Sequence, residues 1–191
     1  MKKYCINLDL RPDKWATVLS HFQDHEIEVE RVSGIKEQIG YDGCRKTHLK
    51  LLSEASDSIF MVLEDDVLFY DGWEAYLDMA MSQLPEDWDM LYLGATLNKP
   101  IERYSKNLYT LKAGYTTHAI IYKNGRVIDY ILEANGGGRK IDVFYADEVQ
   151  EKFNCFITYP MLATQRGGFS DIINRNVTYE VVQERYNKYV K

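Results

Sequence analysis

The sequence has few cysteines, and none of them are spaced as a metal-binding pair. Its 191 residues include three cysteines, Cys5, Cys44 and Cys155, and no two of them form a CxxC pair. An odd number without paired spacing argues against a disulfide framework and against a structural zinc site. We therefore expect buried thiols in a reducing compartment and predict a cytoplasmic location.

Long hydrophobic runs are also missing. Two basic residues, Lys2 and Lys3, precede a short apolar stretch that is interrupted at Asn7 and Asp9. That stretch is too short for the core of a signal peptide, and no other run approaches the length of a membrane-spanning helix. We therefore expect no transmembrane segment. Peripheral contact with a membrane remains compatible with the sequence.

A basic stripe of the kind that binds nucleic acid is absent as well. The formal net charge is −6, whereas a duplex-binding domain normally carries clustered Lys and Arg on one face. We therefore expect no nucleic-acid partner. The acidic balance does not exclude a phosphate-bearing small ligand, because a bound cation can reverse the local field.

The chain has no internal repeat and no long linker, so we predict one domain over residues 1–191, with residues 173–191 as a C-terminal helical extension. Short apolar runs alternate with helical periodicity. The predicted strands are residues 4–8, 27–32, 59–63, 90–93, 108–111, 116–122 and 156–159. The predicted helices are residues 11–25, a segment opening at 43, and residues 73–84, 125–134, 142–153 and 178 onward. This alternation predicts an α/β fold with a mostly parallel sheet flanked by helices, whose ligands bind at the carboxyl ends of the strands.

Three acidic residues, Glu64, Asp65 and Asp66, directly follow the apolar run 59–63. Adjacent carboxylates repel one another, and a divalent cation is the simplest compensation because hard cations prefer oxygen ligands. In an extended chain Glu64 and Asp66 point to one side and Asp65 to the other. Composition leaves two interpretations open: a metal site that also holds a diphosphate, or an acidic loop that caps a helix.

Six segments in a fixed order resemble glycosyltransferase family 25, which includes lipooligosaccharide and procollagen galactosyltransferases. No single motif is decisive, but the order and spacing are specific and extend from residue 4 to about residue 172. The segments are residues 5–14, 43–48, 63–67, 117–122, 141–143 and 170–172. The resemblance implies a GT-A-like fold, a nucleotide-sugar donor and Mn²⁺ or Mg²⁺ as cofactor.

The resemblance also implies roles for individual residues in donor binding. These are Ile6, Asn7, Leu8 and Arg11 after the first strand, Lys46, Thr47 and His48 on a helix, Glu64 and Asp65 in the triplet, and Arg166 and Ser170 in a glycine-bearing loop. Thr47 stands where the family more often has serine, which keeps a hydroxyl. Taken alone, Asn7 would suit a turn, Arg11 a solvated charge, and His48 an ordinary helix position.

The implied metal ligands are Asp66, Glu64 and His118, although His118 equally suits a half-buried strand position. For the base that deprotonates the acceptor hydroxyl in an inverting transfer, the resemblance favours Asp142, with Asp147 second. Lys140 and Ile141 replace the family's Pro and Val before Asp142, which leaves the local backbone open. Either aspartate could instead cap a helix.

The resemblance thus predicts an enzyme that moves a hexose from a UDP-type donor to a hydroxyl of a glycan or glycoprotein acceptor. One alternative is a nucleotidyltransferase, against which the lack of a glycine-rich phosphate loop near the N-terminus argues. Another is a degenerate sugar-binding module, against which the retained Asp142 and the intact triplet argue. The segment 96–107, with Lys99, Arg103 and Lys106, is the candidate acceptor contact, although these could be plain solvated charges.

Overall fold

The computed structural model describes residues 1–190. The helices are α1 (Pro12–Asp24), α2 (Gly40–Glu54), α3 (Trp73–Met81), α4 (Arg126–Glu133), α5 (Ile141–Phe144), α6 (Gln150–Lys152) and α7 (Glu180–Tyr189), with a π-helical turn, Tyr145–Val149, between α5 and α6. The strands are β1 (Lys2–Leu8), β2 (Glu30–Gly34), β3 (Ile59–Glu64), β4 (Val67–Phe69), β5 (Met90–Tyr92), β6 (Thr96–Leu97), β7 (Glu102–Arg103), β8 (Leu108–Thr110), β9 (Gly114–Tyr115), β10 (Ala119–Lys123), β11 (Cys155–Thr158), β12 (Ala163–Gln165), β13 (Gly168–Ser170) and β14 (Arg175–Val177).

One large mixed sheet organises the molecule, with strand order β2-β1-β3-β10-β5-β11-β8-β7. Strands β1, β2, β3, β5, β7 and β11 run in one direction, and β8 and β10 run in the other. The prediction of a mostly parallel sheet flanked by helices is therefore confirmed. Its carboxyl edge holds the ends of β1 and β3 and, because β10 is antiparallel, the residues that precede β10.

The sheet is buried on both faces. Along β3, Phe60 and Val62 point into one apolar layer, and Met61 and Leu63 point into the other. Such continuous apolar runs are typical of a strand that is covered on both sides. Helices α2, α4, α5 and α7 contribute to the first layer, and α1 and α3 contribute to the second.

Some predicted boundaries are wrong, for local reasons. Helix α2 begins at Gly40 rather than at Gly43. Gly43 instead marks a close approach, since a Cβ there would lie 2.3 Å from the carbonyl oxygen of Ile35. The strand predicted from residue 116 begins at Ala119, because Thr116 has a φ of 74°, which a regular strand does not accommodate.

The segment predicted as a C-terminal helical extension contains a strand as well as a helix. In this segment, β14 pairs with β13 before α7 begins. Within residues 1–190, no helix is both long enough and apolar enough to cross a membrane.

Candidate functional site

A cleft opens at the carboxyl edge of the sheet, and we call it the acidic cleft. It consists of two adjoining pockets that share Lys14, Asp65, Asp66, Ser170 and Tyr179. The predicted residues that also line it are Ile6, Asn7, Leu8, Thr47, His48 and Glu64 in the first pocket and Arg11 and Arg166 in the second. The fold thus brings together most of the residues that the sequence singled out.

Glu64, the last residue of β3, is held from two sides. The Thr117 hydroxyl donates a hydrogen bond to Glu64 Oε1 at 2.6 Å, and His48 Nε2 lies 3.3 Å from the same oxygen. Burial acts to raise the pKa of Glu64, but the contacts with His48 and Thr117 outweigh it and lower that pKa. Glu64 is therefore ionised at neutral pH.

Asp66 lies in a turn that leads from β3 into β4, so the triplet is not the extended segment assumed from the sequence. Its carboxylate oxygens accept hydrogen bonds from Gln165 Nε2 at 3.2 and 3.3 Å. Burial, followed by the charges of Glu64 and Asp65, raises the pKa of Asp66 to about 8. Unless a cation binds, Asp66 therefore keeps its proton at neutral pH, because the charges of Glu64 and Asp65 crowd a buried position.

Asp65 faces the end of β1. Asn7 Nδ2 donates to Asp65 Oδ2 at 2.7 Å, and Lys14 Nζ lies 3.7 Å from Asp65 Oδ1. Burial raises the pKa of Asp65, whereas Lys14 and Asn7 act to lower it. Asn7 is 1% exposed, and its Oδ1 accepts hydrogen bonds from Arg31 at 2.7 and 3.1 Å. Asn7 thus joins β1 to the triplet.

A charged network forms the outer wall of the cleft. Arg11 pairs with Asp171, and it also pairs with Asp13 at 2.7 Å. Lys14 Nζ lies 3.2 Å from Asp171 Oδ2 and so bridges Asp171 and Asp65. Arg11 and Lys14 both line the second pocket, beside Asp65 and Asp66.

Asp142 lies in the first turn of α5, close enough to the triplet to feel the charge of Glu64, but it is not among the residues that line the cleft. Its Oδ1 accepts a hydrogen bond from the Val143 N–H at 2.9 Å. Burial raises the pKa of Asp142, and the nearby charge of Glu64 adds to this effect. Burial raises the pKa values of Tyr179 and Cys44, which both line the cleft, and the charge of Asp142 adds to these shifts.

Besides Asp142, three predicted site residues lie away from the cleft lining. Asp147 forms a 3.2 Å ion pair with Arg139 and is 44% exposed. Lys46 pairs with Glu37 at the surface. His118 is fully buried, with Nε2 3.2 Å from the carbonyl oxygen of Ala163 and Nδ1 3.2 Å from Thr116 Oγ1. Both of its ring nitrogens are thus engaged within the protein.

Sequence reasoning missed several residues of the cleft, namely Lys14, Gln165, Asp171 and Tyr179. Lys14 and Asp171 lie inside segments that carried the resemblance, so their charge was an available signal. The sequence carries no signal for Gln165, because this residue reaches Asp66 only through the pairing of β12 with β4. Tyr179 lies beyond the segments that carried the resemblance.

No protein-family model matches the chain. A protein of Acanthamoeba polyphaga mimivirus, named "Putative glycosyltransferase R655", is 28% identical over 162 residues, which cover 70% of this chain and 50% of that protein. The chain thus spans about half the length of the curated relative that it matches, and the likeness is to a protein named as a glycosyltransferase.

Two solved structures share the fold. A197 from STIV aligns with a TM-score of 0.50 at 12% identity, covering 94% of each chain. A "Putative Glucose-1-Phosphate Thymidylyltransferase" from Bacillus anthracis, in complex with a sucrose, aligns with a TM-score of 0.50 at 10% identity, covering 85% of this chain and 69% of that one. At such identities the likeness shows the fold alone, and it agrees with the predicted GT-A-like α/β domain. The chain therefore has a GT-A-like α/β fold and a distant relative that is named as a glycosyltransferase.

Proposed function

We propose that this chain is a metal-dependent glycosyltransferase that moves a hexose from a UDP-linked donor to a hydroxyl of a glycan or glycoprotein, with inversion at the anomeric carbon. The observation that carries the proposal is the acidic triplet at the carboxyl edge of the sheet, where crowded and buried carboxylates lie beside a wall of cations. This edge is where α/β sheets bind their ligands. The glycosyltransferase-named relative supports the reaction class.

The residues of the triplet fit a divalent cation. Asp66 and Glu64 offer carboxylate oxygens, which Mn²⁺ and Mg²⁺ prefer, and both line the first pocket. The raised pKa of Asp66 reflects a site where negative charge is crowded and buried, which a cation would relieve. When bound, the cation offsets the charge of the departing nucleoside diphosphate.

The cations of the second pocket suit the diphosphate itself. Arg11, Lys14 and Arg166 line that pocket beside the triplet. Arginine and lysine are the side chains that bind phosphate oxygens most strongly. Asp65 lies between Asn7 and Lys14, and we expect it to accept hydrogen bonds from hydroxyl groups of the ribose or the sugar.

Asp142 is our candidate for the base that takes the proton of the acceptor hydroxyl. Burial raises its pKa, which makes its carboxylate a better proton acceptor near neutral pH. Asp147, the second candidate, would first have to leave its ion pair with Arg139.

A thermal-shift panel tests the proposal. UDP should raise the melting temperature in the presence of Mn²⁺, and the increase should shrink when a chelator removes the metal. Stabilisation by nucleoside triphosphates alone would favour the alternative nucleotidyltransferase. Stabilisation by none of these nucleotides would favour a degenerate sugar-binding module. A screen of UDP-sugars for UDP release on adding acceptor glycans then identifies the reaction.

A further inference from the structure

A second group of potential metal ligands lies on the inner wall of the acidic cleft. Cys44 and His48 are four residues apart on α2, so their side chains lie one turn apart on one helix face. Glu64 approaches them from the end of β3. The Cys44 thiol, a ring nitrogen of His48 and a carboxylate oxygen of Glu64 all lie within 4.8 Å of one another. All three residues line the first pocket.

His48 has an unused hydrogen-bonding atom in this group. Its side chain is 1% exposed, and Nε2 lies 3.3 Å from Glu64 Oε1. In the part of the chain described, residues 1–190, Nδ1 has no hydrogen-bond partner. Buried ring nitrogens normally have a partner, because burial removes water from both the lone pair and the N–H. The His48–Glu64 pair therefore does not account for the whole imidazole.

A nucleophilic cysteine would explain the group less well. Burial, followed by the charges of Glu64, Asp142 and Asp66, raises the pKa of the Cys44 thiol and so disfavours a free thiolate. Reactive thiolates occur instead in electropositive surroundings. The same negative field attracts a cation, and a bound cation would displace the thiol proton to solvent.

We propose that Cys44, His48 and Glu64 form a second cation subsite that takes Zn²⁺ and lies beside the proposed oxygen-rich subsite of Asp66. One sulfur, one nitrogen and one oxygen ligand suit zinc, whereas Mn²⁺ and Mg²⁺ favour oxygen. Tetrahedral zinc needs ligand atoms about 3.3–3.8 Å apart, given its bond lengths of roughly 2.0–2.3 Å. Side-chain shifts of about 1 Å would close the present spacing, and the pocket leaves the fourth position open.

Glu64 is shared between the two subsites. Zinc held by Cys44 and His48 would draw Glu64 away from Asp66 and weaken the binding of the catalytic metal. This consequence rests on the proposed function, whereas the zinc subsite does not. The two can therefore fail separately.

Cobalt is the probe that tests the subsite, because Co²⁺ replaces Zn²⁺ and reports a bound thiolate by a charge-transfer absorption in the near ultraviolet. Metal-free protein titrated with Co²⁺ should develop this band, and Zn²⁺ should abolish it. Cys44→Ser should lose the band, whereas Cys155→Ser should keep it, since Cys155 is buried in the core. Asp66→Asn should also keep it. A wild type without the band, or a band that persists in Cys44→Ser, would overturn the subsite.

His48→Gln provides a second variant, with near-ultraviolet circular dichroism to check its folding. If it folds, its affinity for Co²⁺ should fall at least tenfold, and an unchanged affinity would overturn the role of His48. If it does not fold, the loss or persistence of the cobalt band in Cys44→Ser, a change at a half-buried position, decides whether the subsite exists. Separately, Zn²⁺ should reduce the Mn²⁺-dependent stabilisation by UDP in the wild type but not in Cys44→Ser. An equal reduction in both proteins would overturn the sharing of Glu64.

Discussion

Gln165 Nε2 lies 3.2 and 3.3 Å from the two carboxylate oxygens of Asp66, although 99 residues separate them in sequence. The pairing of β12 with β4 creates this contact, because it places Gln165 opposite Val67, the residue after Asp66. The backbone adds a second link, since the Arg166 N–H donates to the Asp66 carbonyl at 2.6 Å. Asp66 is thus held in place by the C-terminal part of the chain.

Replacing Asp66 should remove metal-dependent donor binding. Asp66→Asn keeps the size of the side chain but lacks the charge that a divalent cation needs. We expect the Mn²⁺-dependent shift in melting temperature with UDP to disappear. Asp129→Asn, an exposed change on α4, is the matched control and should keep the shift. A normal shift in the Asp66 variant would remove Asp66 from the metal site.

The pH dependence of stability should also report Asp66. Its pKa is raised from 3.8 to about 8 in the fold, so the native state holds this proton more tightly than the unfolded state. The contribution of Asp66 to stability is therefore full below about pH 4 and is lost as the pH rises through about 8. Asp66→Asn cannot titrate, so the free energy of unfolding of the metal-free variant should exceed that of the wild type by about 1–3 kcal/mol at pH 8.5. The difference should be smaller at pH 5. Urea denaturation at both pH values measures it, and an equal difference at the two pH values would contradict the assignment.

Asp142→Asn should separate binding from transfer. The amide keeps the shape of the side chain but cannot accept the proton, so transfer should fall by roughly 10²–10⁴-fold. The UDP-dependent shift in melting temperature should stay within error of the wild type. Asp147→Asn is the companion variant. If it loses transfer while Asp142→Asn transfers normally, Asp147 is the base.

The hydroxyl of Thr117 should matter for the position of Glu64. Thr117→Val removes the donor at 2.6 Å and leaves Glu64 Oε1 with His48 alone. Because Thr117 is 4% exposed, we expect a loss of about 1–3 kcal/mol in the free energy of unfolding, together with weaker Mn²⁺-dependent binding of UDP. Thr117→Ser retains the hydroxyl and should keep the metal dependence. A serine variant as weak as the valine variant would argue that packing, not the hydrogen bond, is responsible.

Lys14 should contribute to diphosphate binding more than to binding of the nucleoside. Its Nζ lies between Asp171 and Asp65 at the edge of both pockets. Lys14→Met should weaken the binding of UDP by about tenfold, which corresponds to roughly 1.4 kcal/mol. It should weaken the binding of uridine less. Isothermal titration calorimetry with both ligands measures the difference. Lys50→Met, an exposed change on α2 that removes a pair with Glu54, is the control. An equal loss for UDP and uridine would contradict contact with the phosphates.

The sequence by itself determined the parts that depend on neighbouring residues. The apolar run of β3 predicts a strand buried on both faces, and the acids after it mark the carboxyl edge of a sheet. Alternating strands and helices predict the α/β class, which the structure confirms. The order of motifs also pointed to Asn7, His48 and Glu64, which the fold brings into one cleft.

Tertiary structure decided which side chains meet within that cleft. Thr117 reaches Glu64 only because β10 is inserted antiparallel between β3 and β5. Asp147 forms a surface pair with Arg139, while Asp142, five residues earlier, faces the charge of Glu64. Local patterns record the preferences of adjacent residues, whereas strand order and the pairing of β12 with β4 depend on the packing of segments up to a hundred residues apart. For that reason Gln165 and Tyr179 could be placed in the site only from the folded structure.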